Sequence, residues 1–88
     1  MVMDNQIDNY IMNEFGIISK RLRQLREISG IPQAIVSKEC HISQPNYVEY
    51  EAGNRKIPLT AIIKVCAFYK ITLSQFFDYD IIPLSEDK

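Results

Sequence analysis

Residues 31–53 place the strictest constraint on the fold, because they predict two short helices separated by a tight turn. Ser43 is a candidate N-cap for the second helix, since a serine hydroxyl can accept a hydrogen bond from a free N–H of the first turn. Gly53 is suited to end that helix, because glycine adopts a left-handed backbone at little cost. The apolar residues that mark the first helix, the turn and the inner face of the second helix are Ala34, Ile35, Val36, Cys40, Ile42, Tyr47 and Tyr50.

Three further helices are predicted around this pair. The first spans residues 17–29, where apolar residues recur at helical spacing and a glycine follows as a stop. Pro58 predicts the start of a fourth helix, because a residue without an N–H loses nothing in the first turn. Thr72 and Gln75 form a capping-box pattern that predicts a short fifth helix at residues 73–78. The expected inner-face residues are Ile18, Leu22, Leu25, Ile28, Ser29, Ile62, Val65, Cys66 and Tyr69.

Size and composition fit one small all-α domain. The chain has 88 residues, 47% of them hydrophobic, which supplies one modest core, and the apolar positions follow helical periods rather than strand alternation. We therefore expect a compact bundle of five helices. No apolar run approaches the roughly 18 residues that suggest a membrane span, and the N-terminus lacks the pattern of a secretion signal.

Cys40 and Cys66 both fall at apolar positions of helical patterns, so we expect buried free thiols, with a disulfide as the alternative. Free thiols are typical of a reducing compartment, which favours a cytoplasmic protein. His41 is the only histidine, and no Cys-x-x-Cys pair is present. The sequence therefore predicts no metal site and no cofactor, and it lacks the constellation of side chains expected of an enzyme.

The formal net charge of −1 conceals a separation of charge along the chain. Residues 1–16 and residues 71–88 each carry −3, whereas residues 17–70 carry +5. The basic residues therefore lie in the body of the chain, where a surface that faces nucleic acid could be built.

The helical patterns divide the chain into three segments. Residues 16–78 contain the five predicted helices and form the predicted domain. Residues 79–88 form a tail, which begins with a largely apolar stretch that is a candidate for subunit contact. Residues 1–15 are either a flexible arm or an extra helix, whose apolar face would comprise Ile7, Tyr10, Ile11 and Phe15.

Residues 16–78 resemble the Cro and phage-repressor family of helix-turn-helix regulators, also called the XRE family. This resemblance implies a lambda-repressor-like bundle of five helices that binds double-stranded DNA, usually as a dimer on a two-fold symmetric operator. It places the helix at about residues 43–52 in the major groove. The matching stretches, in order, are Leu22-Arg23-Gln24-Leu25-Arg26-Glu27, Gln33, Ile42-Ser43-Gln44, Tyr50-Glu51-Ala52-Gly53-Asn54-Arg55-Lys56-Ile57-Pro58-Leu59 and Leu73-Ser74-Gln75-Phe76-Phe77.

Three positions depart from the family pattern. Pro32 stands where relatives commonly have a Ser or Thr cap, so a cap hydrogen bond worth about 1 kcal/mol is expected to be missing. His41 stands in the turn where relatives usually hold glycine, which predicts a histidine with a left-handed backbone. Glu49 places a carboxylate where relatives often have a basic or neutral side chain, which disfavours nonspecific affinity for phosphates.

The resemblance assigns base reading to the start of the recognition helix. Gln44 and Asn46 can each bond the edge of adenine, and Glu49 can accept a hydrogen bond from the cytosine amine. Ser43 caps this helix, and Pro45 either starts it or contacts a thymine methyl group. The alternative for the polar side chains is that they only solubilise an exposed helix.

The resemblance also assigns contacts with the DNA backbone. In relatives, the glutamine that matches Gln33 bonds a phosphate at the N-terminus of the second helix. Asn54, Arg55 and Lys56 follow the recognition helix, in a loop that lies along the DNA backbone near the dimer axis in relatives. A solvated polar loop is the alternative. The first helix also carries surface cations, of which at most one or two are expected to reach phosphate, the candidates being Lys20, Arg21 and Arg23.

Arg26 and Glu51 match an arginine and a glutamate that form a largely buried ion pair in relatives. We therefore expect this pair to join the first and third helices and to set the angle of the recognition helix. Removing one partner would leave a buried charge, which typically costs about 3–5 kcal/mol.

Taken together, the residues and the resemblance predict a sequence-specific, double-stranded DNA-binding transcriptional regulator that acts as a homodimer on an inverted repeat. The alternative is a protein-interaction module on the same fold, such as an anti-repressor or an antitoxin. The acidic ends of the chain and Glu49 favour that alternative.

Overall fold

Residues 4–80 are described by the computed structural model, and they form five α-helices without a β-strand. The prediction of an all-α, five-helix bundle is confirmed. Residues 81–83, which belong to the predicted contact stretch of the tail, lie outside the described residues. The helices are α1 (Asp4–Ser29), α2 (Gln33–Glu39), α3 (Gln44–Ala52), α4 (Leu59–Tyr69) and α5 (Leu73–Phe77).

The local signals at the helix ends act as predicted. Gly30 and Gly53 follow α1 and α3 with φ of 66° and 78°, the left-handed conformation that closes a helix. At the start of α5, the Thr72 hydroxyl accepts from the Gln75 backbone N–H at 3.0 Å, and the Gln75 side chain accepts from the Thr72 N–H at 2.8 Å. Two orphan N–H groups are thereby satisfied at once, as a capping box requires.

All five helices contribute to a single core, and α3 packs against both α1 and α2. Cys40 and Cys66 are buried free thiols, as predicted, and burial raises the pKa of the Cys40 thiol to about 11. Ile28, expected to widen the inner stripe of α1, is instead 48% exposed. The buried hydrophobic residues are Ile18, Leu22, Leu25, Val36, Cys40, Tyr47, Tyr50, Ile57, Ala61, Ile62, Val65, Cys66 and Phe76.

Helix α1 is much longer than its apolar pattern predicted. It has 26 residues and begins at Asp4 rather than at Ile17, so the segment before the core is a continuation of the same helix. Gly16 does not interrupt it, although glycine costs about 1 kcal/mol in a helix interior. Residues 5–10 are all exposed. The division of the chain at residue 16 stays a prediction.

Arg21 was predicted on the surface of the first helix as one of three candidates for phosphate contact, and this placement is wrong, because the side chain is buried. The side chain is 2% exposed, and its Nε donates to the Phe76 carbonyl at 2.8 Å while Nη2 donates to the Gln75 carbonyl at 2.7 Å. A third donor, Nη1, reaches the side-chain oxygen of Gln24. The last carbonyls of a helix lack hydrogen-bond donors within the helix. The Arg21 guanidinium supplies these donors and so fastens α5 to α1.

Candidate nucleic-acid interface

The connection between α2 and α3 is a tight turn around His41. His41 has φ of 56°, so the predicted left-handed histidine is confirmed. The turn is closed by hydrogen bonds from the His41 N–H to the Lys38 carbonyl at 3.2 Å and from the Ile42 N–H to the Ser37 carbonyl at 2.9 Å. The Lys64 ammonium of α4 donates to the His41 carbonyl at 3.2 Å, which ties the turn to the rest of the bundle.

Ser43 caps α3 as predicted. Its hydroxyl accepts a hydrogen bond from the Asn46 backbone N–H at 3.3 Å, and Pro45 occupies the first turn, where its missing N–H is harmless. Pro32 precedes α2 without a side-chain cap, which confirms that departure from the family pattern. The start of α3 therefore has a side-chain cap that the start of α2 lacks.

The Arg26–Glu51 ion pair holds α3 in place from its inner side. Arg26 Nε and Nη2 donate to the two carboxylate oxygens of Glu51 at 2.6 and 3.0 Å, and Nη1 donates to the Ile31 carbonyl at 3.1 Å. The Glu51 side chain is 3% exposed. Burial opposes its ionisation, but the hydrogen bonds from Arg26 and Gln33 outweigh burial, so the pKa of Glu51 lies below its ordinary value.

Gln33 belongs to the same network. It is the first residue of α2, and its side-chain Nε2 donates to Glu51 Oε1 at 3.0 Å. The amide has a second N–H that this bond leaves available, at the helix end where anions are favoured. The structure therefore gives Gln33 a structural partner, and its contact with phosphate stays a prediction.

The outer face of α3 consists of Gln44, Pro45, Val48 and Glu49, which together line a shallow hollow. This face lies opposite the buried residues of the helix, so it is the side of α3 that the bundle leaves accessible. Val48 was not among the predicted site residues. Its position one turn after Gln44 could have placed it on the same side of the helix. It was overlooked because an apolar side chain on a helix resembles a core residue.

Asn46 does not join the outer face. It is half-buried and lines a different hollow, toward the start of α4, with Ile42 and Pro58 among its neighbours. The helix turns by about 100° per residue, so residues two positions apart point in widely different directions. The predicted pair of base-reading amides, Gln44 and Asn46, is therefore split between two sides of α3.

The loop after α3 presents its polar residues to solvent. Asn54, Arg55 and Lys56 are all exposed, and the buried Ile57 anchors the loop at its far end. The Asn54 N–H donates to the Glu49 carbonyl at 3.1 Å, which keeps the loop close to the end of α3. Within residues 4–80 neither Arg55 nor Lys56 forms an ion pair, so both cations are available to an external anion.

These features define a small all-α protein built around an α2–turn–α3 motif with one accessible helix face. The family model described as helix-turn-helix matches residues 22–76, more than half of the chain. The chain belongs to this XRE-type helix-turn-helix family, as the sequence resemblance predicted. A search of curated proteins and a search of solved structures each returned no significant match.

Membership of this family indicates a DNA-binding regulator, and the family is generally non-enzymatic. No helix within the described residues is long and apolar enough to cross a membrane.

Replacing Arg26 by methionine should destabilise the fold by about 3–5 kcal/mol at neutral pH, because the Glu51 carboxylate would stay buried without its partner. The matched substitution Arg23→Met, at an exposed arginine of the same helix, should change stability by less than about 0.5 kcal/mol. Urea denaturation measures both values. Equal losses in the two variants would contradict the role of the pair.

The difference in stability between the native protein and Arg26→Met should also depend on pH. In the native protein the lowered pKa of Glu51 stabilises the fold above the ordinary value of 4.5, and this contribution is lost as the pH falls through the lowered pKa. In Arg26→Met, burial without a partner favours the protonated carboxyl. The difference in stability between the two proteins should therefore shrink from pH 7 to pH 3.

Proposed function

We propose that the protein is a sequence-specific transcriptional regulator that binds double-stranded DNA with α3 in the major groove. The outer face of α3 carries this proposal, because it is accessible while the opposite side is fixed by the buried pair of Arg26 and Glu51. A recognition helix must be held rigidly from behind and left open in front, since base contacts depend on its angle in the groove.

The outer face has the chemistry of base readout. Gln44 can form two hydrogen bonds with adenine N6 and N7, and Glu49 can accept from cytosine N4. Val48 and Pro45 offer apolar contact to the methyl group of thymine. Asn46 lies toward α4 rather than on the outer face, so we assign it a supporting contact with the DNA backbone or an adjacent base.

Replacing Gln44 by alanine should weaken binding to the operator by about 1–3 kcal/mol, because a bidentate contact with one base is lost. Binding to random DNA should change little. Fluorescence anisotropy with both duplexes, at one salt concentration, measures the two effects. An equal loss on operator and random DNA would exclude base reading by this residue.

Contacts with the DNA backbone are proposed for Gln33 at the start of α2 and for the loop of Asn54, Arg55 and Lys56. The two cations are exposed and unpaired within the described residues, and they follow α3 directly. A helix in the major groove brings its flanking loop close to phosphates, so these side chains have short paths to the DNA strand.

Replacing Arg55 or Lys56 by alanine should weaken binding to all sequences by a similar factor. Each phosphate contact that is lost should flatten the plot of log affinity against log salt by roughly 0.9, and by about twice that in a dimer. Lys38→Ala is the control, because Lys38 is exposed near the C-terminal end of α2. Unchanged affinity and salt slope in Arg55→Ala and Lys56→Ala would favour the alternative of a protein-interaction module.

We also propose that the protein binds an inverted repeat as a homodimer, with the two recognition helices about 34 Å apart. One short helix reads only a few base pairs, which is too little for specificity. Leu59 and Ile63 support a subunit contact on α4, since they are 58% and 48% exposed and lie one turn apart. This apolar strip begins directly after the basic loop, close to where the dimer axis is expected.

Replacing Ile63 by serine should weaken the dimer, so that operator DNA binds with lower cooperativity and a half-site complex accumulates in a mobility shift. Ile28→Ser is a matched control, because Ile28 is also 48% exposed but lies on α1. Footprinting that showed a monomer on one half-site at saturation in the unmodified protein would contradict the dimer.

A further inference from the structure

The first turns of α1 present an apolar face that the described part of the chain, residues 4–80, leaves largely exposed. Ile7 and Tyr10 are 46% and 66% exposed, and Ile11 beside them is half-buried. Ile7 and Ile11 continue the stripe of Ile18 and Leu22, since their spacing keeps them on one side of the helix. We call these three residues, with the flanking acids Asp8 and Glu14, the N-terminal face.

The N-terminal face is surrounded by negative charge. Residues 4–16 contain three acidic residues, Asp4, Asp8 and Glu14, and no lysine or arginine. Asp8 lies three residues before Ile11 and Glu14 three residues after it, a spacing that makes side chains neighbours on a helix, so both carboxylates border the apolar side chains. An occupant of this face must therefore combine apolar anchors with flanking positive charge to be complementary.

A second copy of this chain fits the N-terminal face poorly. Two such faces would bring like charges together, which is destabilising. Three large side chains bury on the order of 400 Å² on each partner, about half of the 800 Å² per partner that stable complexes bury. A small contact between unlike surfaces suits a transient complex with a different protein.

From the spacing, exposure and charge of these residues, we propose that the N-terminal face binds a basic amphipathic helix of a partner protein. Ile7, Tyr10 and Ile11 have the i, i+3, i+4 spacing by which helices recognise one another through apolar side chains. Lysine or arginine residues on the partner would pair with Asp8 and Glu14. The expected affinity is micromolar, in keeping with the small contact area.

This face is remote from the candidate DNA interface. About 19 residues separate Ile7 from Arg26 along α1, which places the two roughly 28 Å apart. Arg26 is the point at which α1 is bonded to α3. The proposed partner contact and the proposed DNA contacts use different residues, so the two activities can be tested separately.

The test uses the full chain and a fluorescent, designed helical peptide of leucine and lysine residues with one apolar face. Anisotropy should show micromolar binding of this peptide and none of a version with glutamate in place of lysine. Ile7→Ser should weaken binding at least tenfold. Ile35→Ser should not, although Ile35 is equally exposed at 46%, because it lies on α2.

A second variant separates the proposal from a defect in folding. Asp8→Lys keeps the apolar side chains. It should weaken binding of the lysine peptide and strengthen binding of the glutamate peptide. Circular dichroism and operator affinity should be unchanged in Ile7→Ser and Asp8→Lys, which also keeps this test independent of the proposed DNA binding.

Three results would overturn the proposal. The first is binding that depends neither on charge nor on the N-terminal face, seen as equal binding of the two peptides or as an equal effect of Ile7→Ser and Ile35→Ser. The second is self-association of the full chain that Ile7→Ser abolishes, which would identify a second copy as the occupant. The third is peptide binding only after residues 81–88 are removed, which would identify the chain's own end as the occupant.

Discussion

The ion pair between Arg26 and Glu51 is the interaction on which the geometry of the candidate interface depends. Two hydrogen bonds fix the relative orientation of α1 and α3, and further bonds to Ile31 and Gln33 extend the constraint to the start of α2. Burying two charges is costly in itself, so such a pair contributes less to net stability than to orientation. Apolar packing alone would let a nine-residue helix settle at several angles, whereas a two-point contact selects one.

Most of the fold was predictable because its signals are local. Gly30, Gly53, Ser43 and the box of Thr72 and Gln75 each act on backbone groups within a few residues, so their effect is visible in the sequence. The left-handed His41 was also predictable, because the family places glycine there and histidine tolerates that conformation. For the candidate site, Gln44 and Glu49 lie on the accessible side of α3 as predicted, whereas Asn46, predicted on the same side, lines a different hollow.

The features that escaped prediction depend on distant parts of the chain or on the direction of a side chain. Arg21 is drawn inward by the free carbonyls of α5, more than fifty residues away, and nothing beside it in the sequence signals this. Val48 resembles a core residue until the orientation of α3 is known. The helical state of the first turns of α1 is one of two alternatives that the sequence allows, because their apolar residues give no clear boundary between an arm and an extra helix.

The length of α1 means that a small change in its angle moves its first turns by a larger distance. The backbone hydrogen bonds of α1 continue through all 26 residues, so a change of angle in its core-packed part is carried to its first turns. A tilt of about 10° around Leu22, in the part of α1 that packs in the core, would displace Ile7 by roughly 4 Å, given the rise of 1.5 Å per residue. A spectroscopic label on the exposed first turns would therefore report a small change in the angle of α1 as a larger displacement.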